Sequence, residues 1–224
     1  MLTLHHLEYS QSFRILWLFE ELGAPYEIKL YNRDPKTHLA PPEYKALSPT
    51  GAAPVVTDGE LVLAETSAIM DHILDKHPGS ALRPGPDSPD RTAYLFWSHT
   101  AQGSVMPAML IDSILRVMVE RVPFFIRPLA RAVLKGAGSG FIRPRLNALF
   151  DQAEKDLAET GWFAGDDLTA ADILLSYPMQ SAQMRGYMSE DYPHCQAWFD
   201  RIYARPSFKA AKEIDGRTSM VLPL

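Results

Sequence analysis

Leu2 to Leu7 reads as a strand, and Tyr26-Glu27-Ile28-Lys29-Leu30 alternates apolar and polar residues like a second one. Between them, from Ser12 onward, Phe13, Leu16, Trp17, Phe19 and Leu22 recur at helical spacing up to Gly23, a natural C-terminal stop. Asn32 to Pro42 is a loop rich in proline and charge. A short helical piece is expected around Glu43 to Leu47, broken by Ser48-Pro49-Thr50-Gly51. Asp58-Gly59, between Pro54-Val55-Val56-Thr57 and Leu61-Val62-Leu63, predicts a tight hairpin. A helix from Glu65 to Lys76 then carries Ile69, His72 and Ile73 on one side and ends at Pro78-Gly79. The order is strand, helix, strand, helix, strand, strand, helix.

Beyond this point the pattern changes. His77 to Ser88 is dense in Pro, Gly and Asp, so a domain of residues 1–77, a linker of 78–88 and a second domain of 89–224 are expected. Ser88-Pro89-Asp90 has the chemistry of a helix start, and helical periodicity dominates from there with no convincing strand. Pro107, Pro123 and Pro128 should kink or divide the long helical region, and Gly136-Ala137-Gly138-Ser139-Gly140 should be a flexible connection. Leu168-Thr169-Ala170-Ala171-Asp172-Ile173 reads as a capping box with a hydrophobic staple, which gives Asp172 a structural role.

Charge and cysteine content narrow the function classes. A net charge of −5 over 224 residues argues against nucleic acid as a general partner. The single cysteine, Cys195, excludes an internal disulfide and any CxxC site, and it fits a reducing compartment. The N-terminal residues are too short and too polar a run for a secretory signal core. The most apolar region, Val105 to Val119, contains Asp112 and Arg116 and falls short of the roughly 20 residues that cross a bilayer.

The candidate chemistry concentrates between Gly51 and Ile69. Pro54 cannot donate to a strand ladder, so it belongs at a strand's first residue, where a cis peptide also fits. Glu65 and Thr66 put an acid and a hydroxyl at the next helix start, where backbone amides and the helix dipole favour an anion. Strand backbone and helix N-terminus would then face one small volume.

Ala53-Pro54 before a strand, Glu65-Thr66-Ser67-Ala68-Ile69 at a helix start and the Thr169 capping box together resemble the cytosolic glutathione transferases over nearly the whole chain. Arg14-Ile15-Leu16-Trp17, the segment from Val122 to Pro128 and Trp162-Phe163-Ala164-Gly165 resemble a subgroup shared by bacteria and fungi. The resemblance implies an α/β plus all-α fold, with an N-terminal thioredoxin-like domain built on a four-stranded mixed sheet and an all-helical C-terminal domain. It implies glutathione as cosubstrate, no metal, a homodimer, a cytoplasmic location and a detoxifying transferase. Activation of glutathione as a thiolate for attack on hydrophobic electrophiles would be the reaction, with organic hydroperoxide reduction besides. A glutathione-dependent isomerase, lyase or dehalogenase, or a non-catalytic interaction module, is the alternative.

The same resemblance assigns candidate residues. Glu65 and Thr66 would bind the γ-glutamyl end, Ala53 would pair its main chain with the cysteinyl amide, and Pro54 would turn those groups outward. His38, then Lys45, would meet the glycyl carboxylate, with Lys36 in the same loop. In serine-type members the active hydroxyl stands four residues before a helix arginine, which is Ser10 before Arg14; Tyr9, Ser12 and His6 are the alternatives. Trp97, Met106, Phe124 and Phe125 would wall the electrophile pocket or serve as core. Cysteine-based members are set aside because no cysteine precedes Cys195.

One stretch stands outside the resemblance. Residues 121–150 carry Arg121, Arg127, Arg131, Lys135, Arg143 and Arg145 and no acidic residue. An anionic membrane surface, an anionic electrophile, a partner subunit's acidic face or plain solvation would each account for it.

Overall fold

The computed structural model describes residues 1–188 and 190–221. A four-stranded mixed sheet occupies the N-terminal third: β1 Leu2–Leu7, β2 Tyr26–Tyr31, β3 Val55–Asp58 and β4 Leu61–Ala64, in the order β2-β1-β3-β4. β1 runs parallel to β2, with Leu7 opposite Tyr31, and antiparallel to β3, with His5 opposite Val55. β3 turns at Gly59-Glu60 into antiparallel β4, and Gly59 supplies the positive φ of 61° that this two-residue hairpin loop requires. The helices here are α1 Ser12–Leu22, the short α2 Pro42–Lys45 and α3 Thr66–Asp75. Gly23 closes α1 in the left-handed conformation expected of it.

Helix α1 lies between the sheet and the helical region. Phe13, Ile15, Leu16, Trp17, Leu18 and Phe19 are all buried, at about 1.5–3 kcal/mol of transfer energy for each large side chain. Among the described residues no strand follows Ala64. The chain continues as α4 Arg91–Thr100, α5 Met106–Arg121, α6 Arg127–Ala137, α7 Arg143–Thr160, α8 Ala170–Met184, α9 Pro193–Ala204 and α10 Pro206–Asp215. Residues 222–224, the end of the expected second domain, lie outside the described residues.

Asp172, at the third residue of α8, is wholly buried and accepts from the Thr169 and Phe163 amides, the Thr169 hydroxyl and the Trp198 indole at 2.9–3.1 Å. The Thr169 hydroxyl donates to the carboxylate, so the capping contact runs mainly from Asp172 back to Thr169. Burial pushes the Asp172 carboxyl above its usual range, and these donors hold it back. Leu168 and Ile173 are buried as the staple requires.

Three expectations are corrected. Gly136 to Gly140 is helical: α6 passes through a π-helical turn, Gly138–Ile142, directly into α7. Glycine costs a helix about 1 kcal/mol each, and here the buried Ile142 and Leu146 anchor the far side. Pro107 does not divide its helix. A π-helical turn over Ala101–Val105 respaces the carbonyls that its ring would strike, and Arg91–Arg121 runs as one 31-residue helix, by length and composition enough to cross a membrane. Finally, Ser88 accepts the Asp90 amide at 3.2 Å but regular helix begins only at Arg91.

Candidate functional site

The register fixes where the candidate residues meet. β1 ends at Leu7, β3 begins at Val55 opposite His5, and β4 ends at Ala64 opposite Val55. Residues 8–11, Ala53-Pro54 and Glu65-Thr66 therefore leave the sheet at one end, and the 32–38 loop joins them because Tyr31 pairs with Leu7. Ala53-Pro54 is cis. Among the described residues, the non-glycine positions with positive φ are Tyr9 at 49°, His38 at 57° and Glu65 at 74°. All three are at this end of the sheet, and such backbone strain concentrates where a site needs it.

Two polar systems support the site from beneath. In the first, Arg14 is fully buried on α1 and donates to the Leu174 carbonyl at 2.7 Å, to Thr66 Oγ1 at 3.1 Å and to Gln11 Oε1. It thus ties the N-termini of α1 and α3 to α8. Burial lowers its pKa to about 9, so it stays charged at neutral pH. In the second, Ser10, Ser12, His6 and Asp215 form a buried chain: Ser10 Oγ to Ser12 Oγ 2.7 Å, Ser12 Oγ to His6 Nδ1 2.9 Å, His6 Nε2 to Asp215 Oδ1 2.8 Å. The Asp215 carboxylate only accepts, so Nε2 carries a proton toward it, and Nδ1 shares a hydrogen bond with the Ser12 hydroxyl.

The candidate hydroxyls differ in availability. Ser10 has one proton and two inward acceptors, the Leu7 carbonyl at 2.7 Å and Ser12 Oγ, and it accepts the Ser12 amide at 3.2 Å. Ser12 is buried and also receives the Leu7 amide at 3.1 Å. His6 is buried in the chain just described. Tyr9 is half-buried, and among the described residues its hydroxyl has no hydrogen-bond partner; the Arg217 guanidinium lies 5.8 Å from its ring.

Thr66 is buried and Glu65 exposed at the start of α3. His38 and Lys45 are exposed. Arg33 fastens the His38 turn to the loop after β1, donating to the carbonyls of Glu8, Tyr9 and His38 at 3.0–3.3 Å. Sequence reasoning missed Arg33, Gln11 and Asp215. Only Gln11 carried a signal, because it stands three residues before Arg14 where the two helix-start side chains meet.

Of the expected electrophile wall, Trp97 is core, bonded to Asp156 at 2.9 Å and packed on Phe163. Phe124 and Phe125 are exposed. A cleft of about 650 Å³ opens instead between α5 and α6, lined by Leu115, Arg116, Val119, Arg131, Leu134 and Lys135 among others. Cys195 is buried, and burial followed by Glu154 pushes its thiol pKa far up, which leaves it inert packing.

Comparison with known proteins gives a consistent result. The family model "Glutathione S-transferase, N-terminal domain" matches residues 1–75, and "Glutathione S-transferase, C-terminal domain" matches residues 142–206. Glutathione S-transferase 3 of Schizosaccharomyces pombe is 35% identical over 95% of this chain and 87% of its own length. Glutathione S-transferase 1 of Saccharomyces cerevisiae is 31% identical over 95% of this chain and 94% of its own. The crystal structure of a glutathione S-transferase from Actinobacillus pleuropneumoniae superposes with a TM-score of 0.81 at 33% identity, covering 96% of this chain and 93% of that one.

Proposed function

The chain belongs to the glutathione S-transferase family, and from that premise we propose that it binds glutathione at the end of the sheet, activates it as a thiolate and directs it at hydrophobic electrophiles. The observation that carries this reading is the convergence of cis Ala53-Pro54 with the strained Tyr9, His38 and Glu65 at the mouth of two helix N-termini. In it, Glu65 faces the γ-glutamyl ammonium, Thr66 and the α3 amides take the adjoining carboxylate, and Ala53 pairs with the cysteinyl amide. His38, with Lys45 beside it, receives the glycyl carboxylate. The working unit is a cytoplasmic homodimer of chains divided as 1–77, 78–88 and 89–224, a division supported by the end of the sheet at Ala64.

Activation has a definite energetic scale. Lowering a thiol from a pKa of roughly 8.5 by about two units takes about 2.7 kcal/mol of thiolate stabilisation, within reach of one hydroxyl and a helix N-terminus. Ser10 is the proposed donor. Rotating its hydroxyl exchanges the 2.7 Å bond to the Leu7 carbonyl for a charge-assisted bond to sulfur, which is roughly twice as strong. A second reading rests on Tyr9, whose hydroxyl needs no such exchange.

Kinetics of Ser10→Ala and Tyr9→Phe with a chromogenic electrophile separate the two. Loss of one charged hydrogen bond should lower kcat about 10- to 100-fold in Ser10→Ala, with glutathione affinity by calorimetry nearly unchanged. The same loss in Tyr9→Phe alone would transfer the role to Tyr9. Unchanged kcat in both would shift it to Ser12 or a backbone amide. No heat of binding at millimolar glutathione would overturn the site as a whole. A product-resolved screen that includes organic hydroperoxides then separates conjugation from peroxidase, isomerase, lyase and dehalogenase chemistry.

A further inference from the structure

Helix α6 is inside out. Its charged residues turn toward α5: Arg131 and Lys135 line the cleft between the two helices, and Arg127 and Arg131 approach the Glu120 carboxylate at 3.6 and 3.4 Å. Leu134 also lines the cleft, while Leu129 and Val133 turn to the helix's other side, 68% and 62% exposed. The turn that leads into it carries Phe124 at 81% and Phe125 at 70% exposure, and Phe141 beyond it is exposed as well. Helix α5 exposes a separate stripe, Leu110, Ile114 and Met118, on its side away from α6. Only 22% of the most apolar window of Arg91–Arg121 is buried. A cluster of bulky apolar residues this exposed, from Phe124 through Val133, marks an interaction site.

Charge identifies the occupant. Residues 121–150 carry six cations and no acid, and subtracting that +6 from the chain's −5 leaves −11 on the rest. We propose that the α5–α6 hairpin docks on an anionic lipid surface, with Phe124, Phe125, Leu129 and Val133 entering the headgroup boundary. A helix lying in such an interface has this design, with bulky apolar residues on one face and Lys and Arg on the other. Cations on the far side of a helix about 10–12 Å across lie about one screening length from the surface at 0.1 M salt, and their long stems extend sideways toward it. The acidic remainder of the chain is repelled, which orients the protein with the hairpin down.

Cosedimentation of the full chain with phosphatidylcholine vesicles, with and without phosphatidylserine, tests the proposal. The protein should pellet with the anionic vesicles at low salt and be released at about 1 M salt, where the screening length falls to about 3 Å. Leu129→Ser/Val133→Ser and, separately, Arg131→Glu/Lys135→Glu should each lower partitioning about tenfold or more. Circular dichroism and thermal unfolding of each variant show that it is folded. Equal recovery with neutral and anionic vesicles overturns the proposal. So does undiminished binding by folded variants. Sedimentation equilibrium without lipid supplies the third arm: if Leu129→Ser/Val133→Ser turns a dimer into a monomer, the face belongs to a second copy and the lipid assignment fails.

Discussion

Two helices of 11 residues each, α1 and α6, obey opposite rules. In α1 every residue from Ser12 to Phe19 is buried, including a serine and an arginine, and, apart from Arg14 Nε, which has no partner among the described residues, their hydrogen bonds are answered by β1, α3, α8 and α10 through Leu7, Thr66, Leu174 and the His6–Asp215 pair. In α6 no described side chain is buried, and Leu129 and Val133 face out while Leu134 lines the cleft. A buried polar group is tolerable only when its partners are present, so the α1 sequence is dictated by the rest of the chain. An exposed apolar stripe opposite a row of cations has no such internal author. What dictates α6 lies outside the folded chain.

The contrast is sharpest at Arg14. Truncation to alanine leaves the Leu174 carbonyl and Thr66 without their donor and opens space beneath two helix starts. Orphaned polar groups and a cavity together should cost about 3–4 kcal/mol, read as a lower urea midpoint at unchanged m-value. A loss under about 1 kcal/mol would break the comparison from the α1 side. Asp215→Ala comes next. It strips His6 of its buried partner 209 residues away in sequence and should cost about 2 kcal/mol by the same measurement.

That separation marks the limit of what the sequence discloses. The sheet, α1, the hairpin at Gly59 and the cis Ala53-Pro54 bond are legible because each rests on local chemistry: period two, period 3.6, a glycine turn, a proline at a strand's first residue. That the strand start at Pro54 and the helix start at Glu65 face one volume is legible from the hairpin between them, whereas the arrival of residues 9 and 38 there was reachable only through the resemblance, since register is a pairing of distant segments. Nothing local announces that Arg33 will clasp three carbonyls or that Asp215 will close a chain begun at Ser10. The glycines from 136 to 140 misled because propensity is a weak prior and buried Ile142 and Leu146 override it.

Asp58 is the intermediate case, a partly exposed group at the far end of the sheet. Lys76 at 2.7 Å, and then His72 at 3.2 Å, hold its carboxyl below the usual range. Because the folded-state value is depressed, its contribution is complete above the unfolded value of about 3.9 and disappears as pH falls through the folded one. The gap in urea midpoint between the unsubstituted protein and Asp58→Asn should be constant from neutral pH down to about pH 4 and close below it. A gap that persists in stronger acid would show that the carboxylate acts through packing rather than charge. Arg14→Ala should keep its deficit across this same range, since Arg14 remains protonated well below its pKa of about 9.

The smallest effect is the most informative for α6. Leu129→Ser/Val133→Ser removes two large apolar side chains, a change that in α1 would cost several kcal/mol. With 68% and 62% of these residues already in water, truncation forfeits little burial, and the unfolding free energy should stay within about 0.5 kcal/mol of the unsubstituted protein in dilute, lipid-free buffer. Such a null result in stability, set beside a loss of vesicle binding by the same variant, separates a face kept for an external surface from one kept for the fold. A deficit above about 2 kcal/mol would mean that α6 packs against its own chain, and the two helices would then obey one rule.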